Sequence, residues 1–332
     1  MSKNIGLDVG TNLLVSAKIG PEGSPVFKAQ RDAFYKITPK SDVNRNAVMA
    51  SLEKRGANFI TTKDGCFIIV GQDALEIAIE RNDVARRPLR KGVLSPKEKD
   101  SLPTLKLIIK SLIGQGEGED LVIYSVPARP VDGAFDIIYH TEMMRVYLGE
   151  IGYKSTPINE AFAIALSELL DDGLTGITLS YGAGMTNIAV IHQGDPLVEF
   201  SITRSGDFID ESVGRALDIS PSLVQLEKEA GTDLLNPSNK IMEAVSVYYS
   251  SLINYTLENI VYELEKRKKD LPLFKEPVPV VVSGGLTLAK GFVKKFNSCL
   301  NGLKFPIEVS EVRKANDPLR AVAHGALLAA QL

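Results

Sequence analysis

The sequence predicts an α/β protein built from two related halves, and three features of the chain lead there. Apolar β-type runs alternate with stretches of helical periodicity from end to end, the pattern of strands covered by helices. A strand, glycine turn, strand unit occurs near the N-terminus and again about half a chain later, so an internal repeat is expected. A third strand, at residues 278–283, also stops at glycines, Gly284 and Gly285. A chain of 332 residues divides into about two domains, each large enough to bury a core.

In chain order, Ile5-Gly6-Leu7-Asp8-Val9 is a β-type run, Gly10-Thr11-Asn12 a turn signal, and residues 13–19 a second strand. Residues 36–65, with polar residues scattered among weak periodicities, read as an insertion or small subdomain. Residues 121–126 form a buried-type strand stopped by Pro127, and a helix is expected over about 132–149. Thr156-Pro157-Ile158-Asn159-Glu160 leads into an apolar-periodic helix over 161–170. The opening syntax then recurs as strand 177–181, turn Gly182-Ala183-Gly184-Met185-Thr186 and strand 187–191, which lays Ser180-Tyr181-Gly182 on Asp8-Val9-Gly10. A long helix over about 240–269 ends in Lys266-Arg267-Lys268-Lys269; cations there complement the helix dipole, so a solvated helix end is expected rather than a partner site. No low-complexity linker separates the halves, so ordered structure should join them.

Composition narrows the function classes. With 44% hydrophobic and 24% charged residues the chain is neither disordered nor fibrous. Its 38 Lys and Arg against 41 Asp and Glu give a net charge of −3, which supplies no general pull toward nucleic acid. Two cysteines, Cys66 and Cys299, make no disulfide framework and no zinc cluster. The first eight residues, from Met1 to Asp8, contain no basic segment followed by an apolar one, and show no basic amphipathic extension. The uncharged stretch 173–194 is interrupted by glycines and by Ser180, Thr186 and Asn187, unlike a membrane span of about 20 apolar residues. A reduced cytoplasmic location without a transmembrane segment is therefore expected. His140, His192 and His324 are far apart and read as structural, and Arg86-Arg87-Pro88-Leu89-Arg90-Lys91 is either a solvated surface loop or a filament or partner contact.

A turn of Gly and Thr beside a carboxylate suits a phosphate and its metal. Glycine lets backbone N–H groups approach the anion, and Asp holds Mg²⁺ through water. One such turn is equally the end of an ordinary strand; two of them, with a third Gly-ended strand, describe a nucleotide clamp. In its order of motifs the whole chain resembles the actin-like ATPase superfamily, and most of all its filament-forming MreB and MamK branch. Residues 8–17 resemble the first phosphate motif, 157–165 the first connecting motif, 179–190 the second phosphate motif, 280–292 the adenosine motif and 317–325 the C-terminal connecting segment. Shorter echoes of the filament branch lie at 70–74, 87–93 and 206–210.

The resemblance implies an actin-like fold of the duplicated ribonuclease H-like kind, two related domains around a nucleotide cleft. Domain I would comprise 1–155 plus 310–332 with a small subdomain at about 32–84; domain II would comprise 156–309 with a subdomain at about 207–274. It also implies roles. Asp8 would orient the Mg²⁺ shell; Gly10, Thr11 and Asn12 would meet the phosphates from one side, and Gly182, Ala183, Gly184, Met185 and Thr186 from the other. Glu160 resembles the residue that positions or polarises the attacking water, although alone it is equally a carboxylate favoured at a helix N-terminus. Gly206 and Asp207 would lie near the nucleotide, Gly284, Gly285 and Leu286 would line the adenosine pocket, and Glu227 and Lys228 would reach base or ribose. Ser180 departs from the pattern, because the second phosphate motif normally begins with Asp; Ala183 replaces a common glycine and fits if its φ stays negative. The implied protein is a cytoskeletal ATPase that polymerises with ATP and Mg²⁺, its partners further copies of itself and a cytoskeletal adaptor. The alternative is a scaffold of the same fold that binds ATP without assembling.

Overall fold

The computed structural model describes residues 3–94 and 98–332; Met1 and Ser2, part of the N-terminal segment read above, lie outside the described residues. The first half opens with a meander, β1 (Asn4–Val9), β2 (Leu13–Ile19) and β3 (Pro25–Arg31). A small layer follows: β4 (Phe34–Ile37), α1 (Asp42–Arg55), β5 (Phe59–Thr61), β6 (Phe67–Val70) and α2 (Gln72–Glu80). A short ribbon, β7 (Leu89–Arg90) and β8 (Val93–Leu94), leads to α3 (Ser101–Ile113), β9 (Asp120–Val126), α4 (Ile138–Glu150), β10 (Tyr153–Asn159) and α5 (Glu160–Glu168). The second half runs β11 (Gly176–Tyr181), β12 (Thr186–His192), β13 (Asp195–Ile202), α6 (Gly206–Leu217), α7 (Pro221–Ala230), α8 (Lys240–Lys266), β14 (Val278–Ser283), α9 (Phe292–Leu300), β15 (Val309–Lys314) and α10 (Ala321–Ala329).

The expected repeat is a repeat of topology. One sheet has the order β10-β9-β1-β2-β3 and the other β15-β14-β11-β12-β13. In each, an antiparallel meander places its first strand at the centre, and two parallel strands extend the sheet on the far side. The polar 36–65 stretch is part of a separate small layer that runs on to residue 80, the three-stranded sheet β4-β6-β5 with α1 and α2, around Phe67, Ile69, Leu52 and Ile77.

Local chemistry sets several helix ends. Ser41, Asn159, Ser220 and Asn239 cap α1, α5, α7 and α8 through side-chain oxygens, and Gly56 ends α1 at φ 71°. Two expected helices are shorter than their sequences suggest. Residues 132–137 do not join α4; the chain entering them is stitched to the end of β13, where Val131 N donates to Ser201 O (2.9 Å) and Thr203 N to Asp132 Oδ1 (2.8 Å). Helix α8 stops at Lys266, and its basic end pairs locally, Arg267 with Glu263 and Lys268 with Glu265. The histidines sit in packing roles: His140 is buried, its Nδ1 accepting from Leu94 N, while His192 and His324 lie edge-on to Phe274 and Phe27.

Helices α5 and α10 join the halves. Ala161, Ala163, Ile164 and Ala165 pack against Ala189, Ile191 and Val281 of the second sheet and against Ala321 and Val322 of α10. The far side of α10 presses Ala323, Leu327 and Ala326 onto Val15, Ala17 and Ile123 of the first sheet, so the chain's last helix returns to the half in which the chain began. The crossing is tight enough that a Cβ on Gly325 would stand 1.7 Å from Ala163 O, and where α10 meets β1 one on Gly6 would stand 2.1 Å from Ala323 O. Gly325→Ala must therefore spread the two helices, at the upper end of overpacking costs, about 3 kcal/mol. A urea titration should show that loss, and an unchanged midpoint would contradict so close a crossing.

Candidate functional site

The C-terminal ends of β1, β11 and β14 point into one cleft between the sheets, with a cavity of about 570 Å³. That volume suits a nucleotide-sized ligand. Sixteen residues named above or in the pattern's departure line it: Asp8, Gly10, Thr11, Asn12, Glu160, Ser180, Gly182, Ala183, Gly184, Met185, Gly206, Asp207, Lys228, Gly284, Gly285 and Leu286. Two expected residues are absent from that lining. Thr186 is fully buried, its hydroxyl donating to Arg204 O (2.9 Å) behind the turn. Glu227 is on the wrong face of α7: Gln225, Lys228 and Glu229, spaced three and four apart, share the face that meets the cleft.

At the floor, Asp8 accepts a hydrogen bond from Ser125 Oγ (2.9 Å), whose oxygen in turn accepts from Val9 N. Glu160 accepts through Oε2 from Asn187 Nδ2 (2.9 Å) and Ser180 Oγ (3.3 Å). Neither carboxylate has an ion-pair partner among the described residues. Burial pushes the Asp8 carboxyl up, and burial together with the Asp8 charge pushes Glu160 up to about 8. A half-buried Asp8 and a buried Glu160, neither paired with a cationic side chain, are a donor set that one hydrated Mg²⁺ and a phosphate would complete, since Mg²⁺ keeps most of its waters and needs one or two carboxylates. The described residues hold no cluster of three or more His, Cys, Asp or Glu disposed to bind a metal ion.

The walls are shaped by close backbone approaches. A Cβ on Gly184 would lie 2.6 Å from both Thr11 Oγ1 and Gly92 N, so the second turn touches the first. Thr11 Oγ1 already accepts from Gly92 N (3.1 Å), leaving its own proton as the group free to meet a ligand. Gly284, at φ 90°, needs the freedom only glycine has, and a Cβ there would strike Tyr181 O at 2.3 Å. Ala183 is not among the positive-φ residues, so its methyl fits the turn.

Several cleft residues escaped the sequence reading. Arg87 donates to Asp207 Oδ1 (2.9 Å) and Gln225 Oε1 (3.0 Å), and Arg31 and Asn12 both donate to Glu229, at 3.2 and 3.4 Å. These contacts join the first half to α6 and α7 across the cleft mouth. The 86–91 basic run is divided: Arg86, Arg90 and Lys91 are exposed, as a surface loop would have them, while Arg87 is drawn across the cleft. Arg86 pairs with Glu98 and Asp100 and stacks on Phe34, and Lys91-Gly92, both at positive φ, make the tight turn that carries Gly92 to Thr11. Lys228 does not reach freely into the cleft: its ammonium is held by Asp210 Oδ1 (2.7 Å) and Gly206 O (3.2 Å).

The sequence model of the Volactin family matches residues 3–330. The chain belongs to the Volactin family. No curated protein matches it in sequence. Among solved structures, a MamK double helical filament is 19% identical with a TM-score of 0.72, over 100% of this chain and 99% of that one. MreB5 of Spiroplasma citri bound to ADP is 17% identical with a TM-score of 0.66, over 98% and 95%. The ethanolamine utilization protein EutJ from Carboxydothermus hydrogenoformans is 16% identical with a TM-score of 0.53, over 99% and 90%. The fold of this Volactin family chain is thus the actin-like one. No helix of its described residues is long and apolar enough to cross a membrane.

The Glu160 environment has a measurable consequence in the nucleotide-free protein. Its folded pKa lies above the ordinary 4.5, so the fold holds a proton that the unfolded chain releases, and stability drops as pH rises from about 4.5 to about 8. Glu160→Gln removes that ionisation. The variant should melt higher than the wild type at pH 8.5, with the gap closing toward pH 5; equal melting profiles at both pH values would show that Glu160 is not a destabilised buried acid.

Proposed function

We propose that this protein is a cytoskeletal actin-like ATPase that binds MgATP in the cleft and assembles into filaments of its own copies in the cytoplasm. The observation that carries the reading is the pair Asp8 and Glu160, which line one cavity together with glycine turns from both sheets, close enough for the Asp8 charge to act on Glu160. Related structures support it in kind: the MamK neighbour is described as a double helical filament, and the MreB5 neighbours were solved with ADP and with AMPPNP. The equivalent sheet orders and the return of α10 support a domain I of 1–155 plus 310–332, with its insert at 32–84, and a domain II of 156–309, with its helical insert at 207–274.

Within that reading Asp8 would hold Mg²⁺ through water, and the metal would supply positive charge to offset the charge developing on the transferred phosphoryl group. Thr11 and the backbone of residues 10–12 and 182–185 bracket the phosphates, Gly284 to Leu286 accept the adenosine, and Glu229, rather than Glu227, stands on the α7 face turned to the ribose. Glu160 orients the attacking water, positioning being what phosphoryl transfer rewards most. Head-to-tail contacts that do not close generate filaments, and a nucleotide touching both halves biases the shape those contacts need. A second reading, an ATP-binding scaffold that docks an adaptor without assembling, is favoured by Ser180, which supplies a hydroxyl to Glu160 where a second metal-side carboxylate would otherwise stand.

Electron microscopy and light scattering with MgATP separate the two. Filaments are expected, and their absence across salt and protein concentration would leave the scaffold. Glu160→Ala should lower phosphate release about 100-fold while assembly persists; wild-type turnover would take Glu160 out of catalysis. Arg87→Ala removes one cross-cleft tie worth about 1 kcal/mol, so bound nucleotide should leave about fivefold faster in a chase with unlabelled ATP. An unaltered release rate would mean that the Arg87 contacts do not hold the cleft shut.

A further inference from the structure

The two hydrogen bonds to Glu160 Oε2 come from one cross-strand pair, because Ser180 on β11 lies directly opposite Asn187 on β12. Asn187 is 1% exposed and does not line the cleft. Its amide is engaged at both ends: Nδ2 donates to Glu160, and Oδ1 accepts from Ala128 N at 2.8 Å. Reversing the amide would set its oxygen against a carboxylate and its NH₂ against an N–H, so this orientation is enforced. Ala128 follows the end of β9 in the first sheet, and its carbonyl is held in turn by Ser201 Oγ of β13 (2.7 Å). The same strand end carries Ser125, which holds Asp8. The end of β9 therefore supports both floor carboxylates, Asp8 directly and Glu160 through Asn187.

We propose that Asn187 is a positioning residue that sets the Glu160 carboxylate through the junction between the end of β9 and the β12–β13 pair, so that Glu160 is correctly presented only while that junction is intact. The inference rests on the ATPase reading above and adds to it a physical link between the junction of the two sheets at Ala128 and turnover. A shift of about 1 Å at Ala128 breaks a 2.8 Å contact and frees the amide to turn. Glu160 then keeps only the longer Ser180 bond. Because Asn187 lies behind the cleft wall, its loss should disturb presentation of the water-orienting carboxylate without disturbing the surfaces that hold nucleotide.

The test is phosphate release from MgATP by Asn187→Ala, with fluorescent-nucleotide binding, light scattering and thermal melting measured alongside. Expected is a kcat lowered about 10- to 100-fold, with KM and nucleotide affinity within about twofold of wild type and assembly retained. Adding Asn187→Ala to Glu160→Gln should change kcat by less than about twofold, since the amide acts only through that carboxylate. An unchanged kcat in Asn187→Ala overturns the proposal, as does a fall of equal size in the Glu160→Gln background or a matching loss of nucleotide affinity. If Asn187→Ala melts below the assay temperature, Ser201→Ala carries the test: it loosens Ala128 from the other side and should lower kcat several-fold at constant KM, and wild-type kinetics there would overturn the proposal. Wild-type turnover in Glu160→Gln itself would instead bring down the parent assignment of Glu160.

Discussion

The structure depends first on the crossing of α5 and α10. Two five-stranded sheets of this size would each bury one face unaided, yet the described chain places one pair of small-residue helices between them and lets both sheets share it. Alanine and glycine bring backbones almost into contact, Gly325 over Ala163 at the crossing itself and Ala323 over Gly6 where α10 meets β1. Interiors this dense are bistable rather than soft, so the halves can change their spacing only by moving as bodies about that crossing. Glu160 opens α5, and Pro318 and Leu319 just before α10 line the cleft, so the joint and the site are built from the same segments.

The second constraint is electrostatic. Two carboxylates sharing one cavity resist ionisation, and the fold supplies them with hydroxyl and amide donors instead of a cationic side chain. The cleft's own cations are committed elsewhere, Lys228 to Asp210, Arg87 to Asp207 and Arg31 to Glu229. Such a floor favours a ligand that brings its own positive charge, as a metal-bound phosphate does. Ser180 lowers the number of floor carboxylates from the pattern's expected number and turns that position into a support for Glu160.

Much of the fold was legible because its signals are local. Strand ends at 9, 181 and 283 follow from apolar runs cut by glycine, and the repeat follows from comparing two short stretches of the chain. The start of α4 was not legible, since nothing in residues 132–137 announces that their neighbours will be stitched to a strand some seventy residues away. Glu227 and Glu229 are the same residue type two positions apart, and only the phase of α7 against the cleft distinguishes them. The basic run at 86–91 has the composition of a solvated face, but its tight turn and its partners on α6, α7 and the 98–100 segment bury its purpose in tertiary contacts.

What the sequence determined by itself is the set of glycine-ended strands, their duplication and the placing of Asp8 and Glu160 at strand and helix ends, because periodicity, capping and turn chemistry act over a few residues. What only the tertiary structure decided is which groups face those carboxylates. Ser125, Asn187, Arg87 and Glu229 reach the site or its supports from places far apart along the chain, and hydrogen bonds across such separations exist only once the sheets have packed on their shared helices.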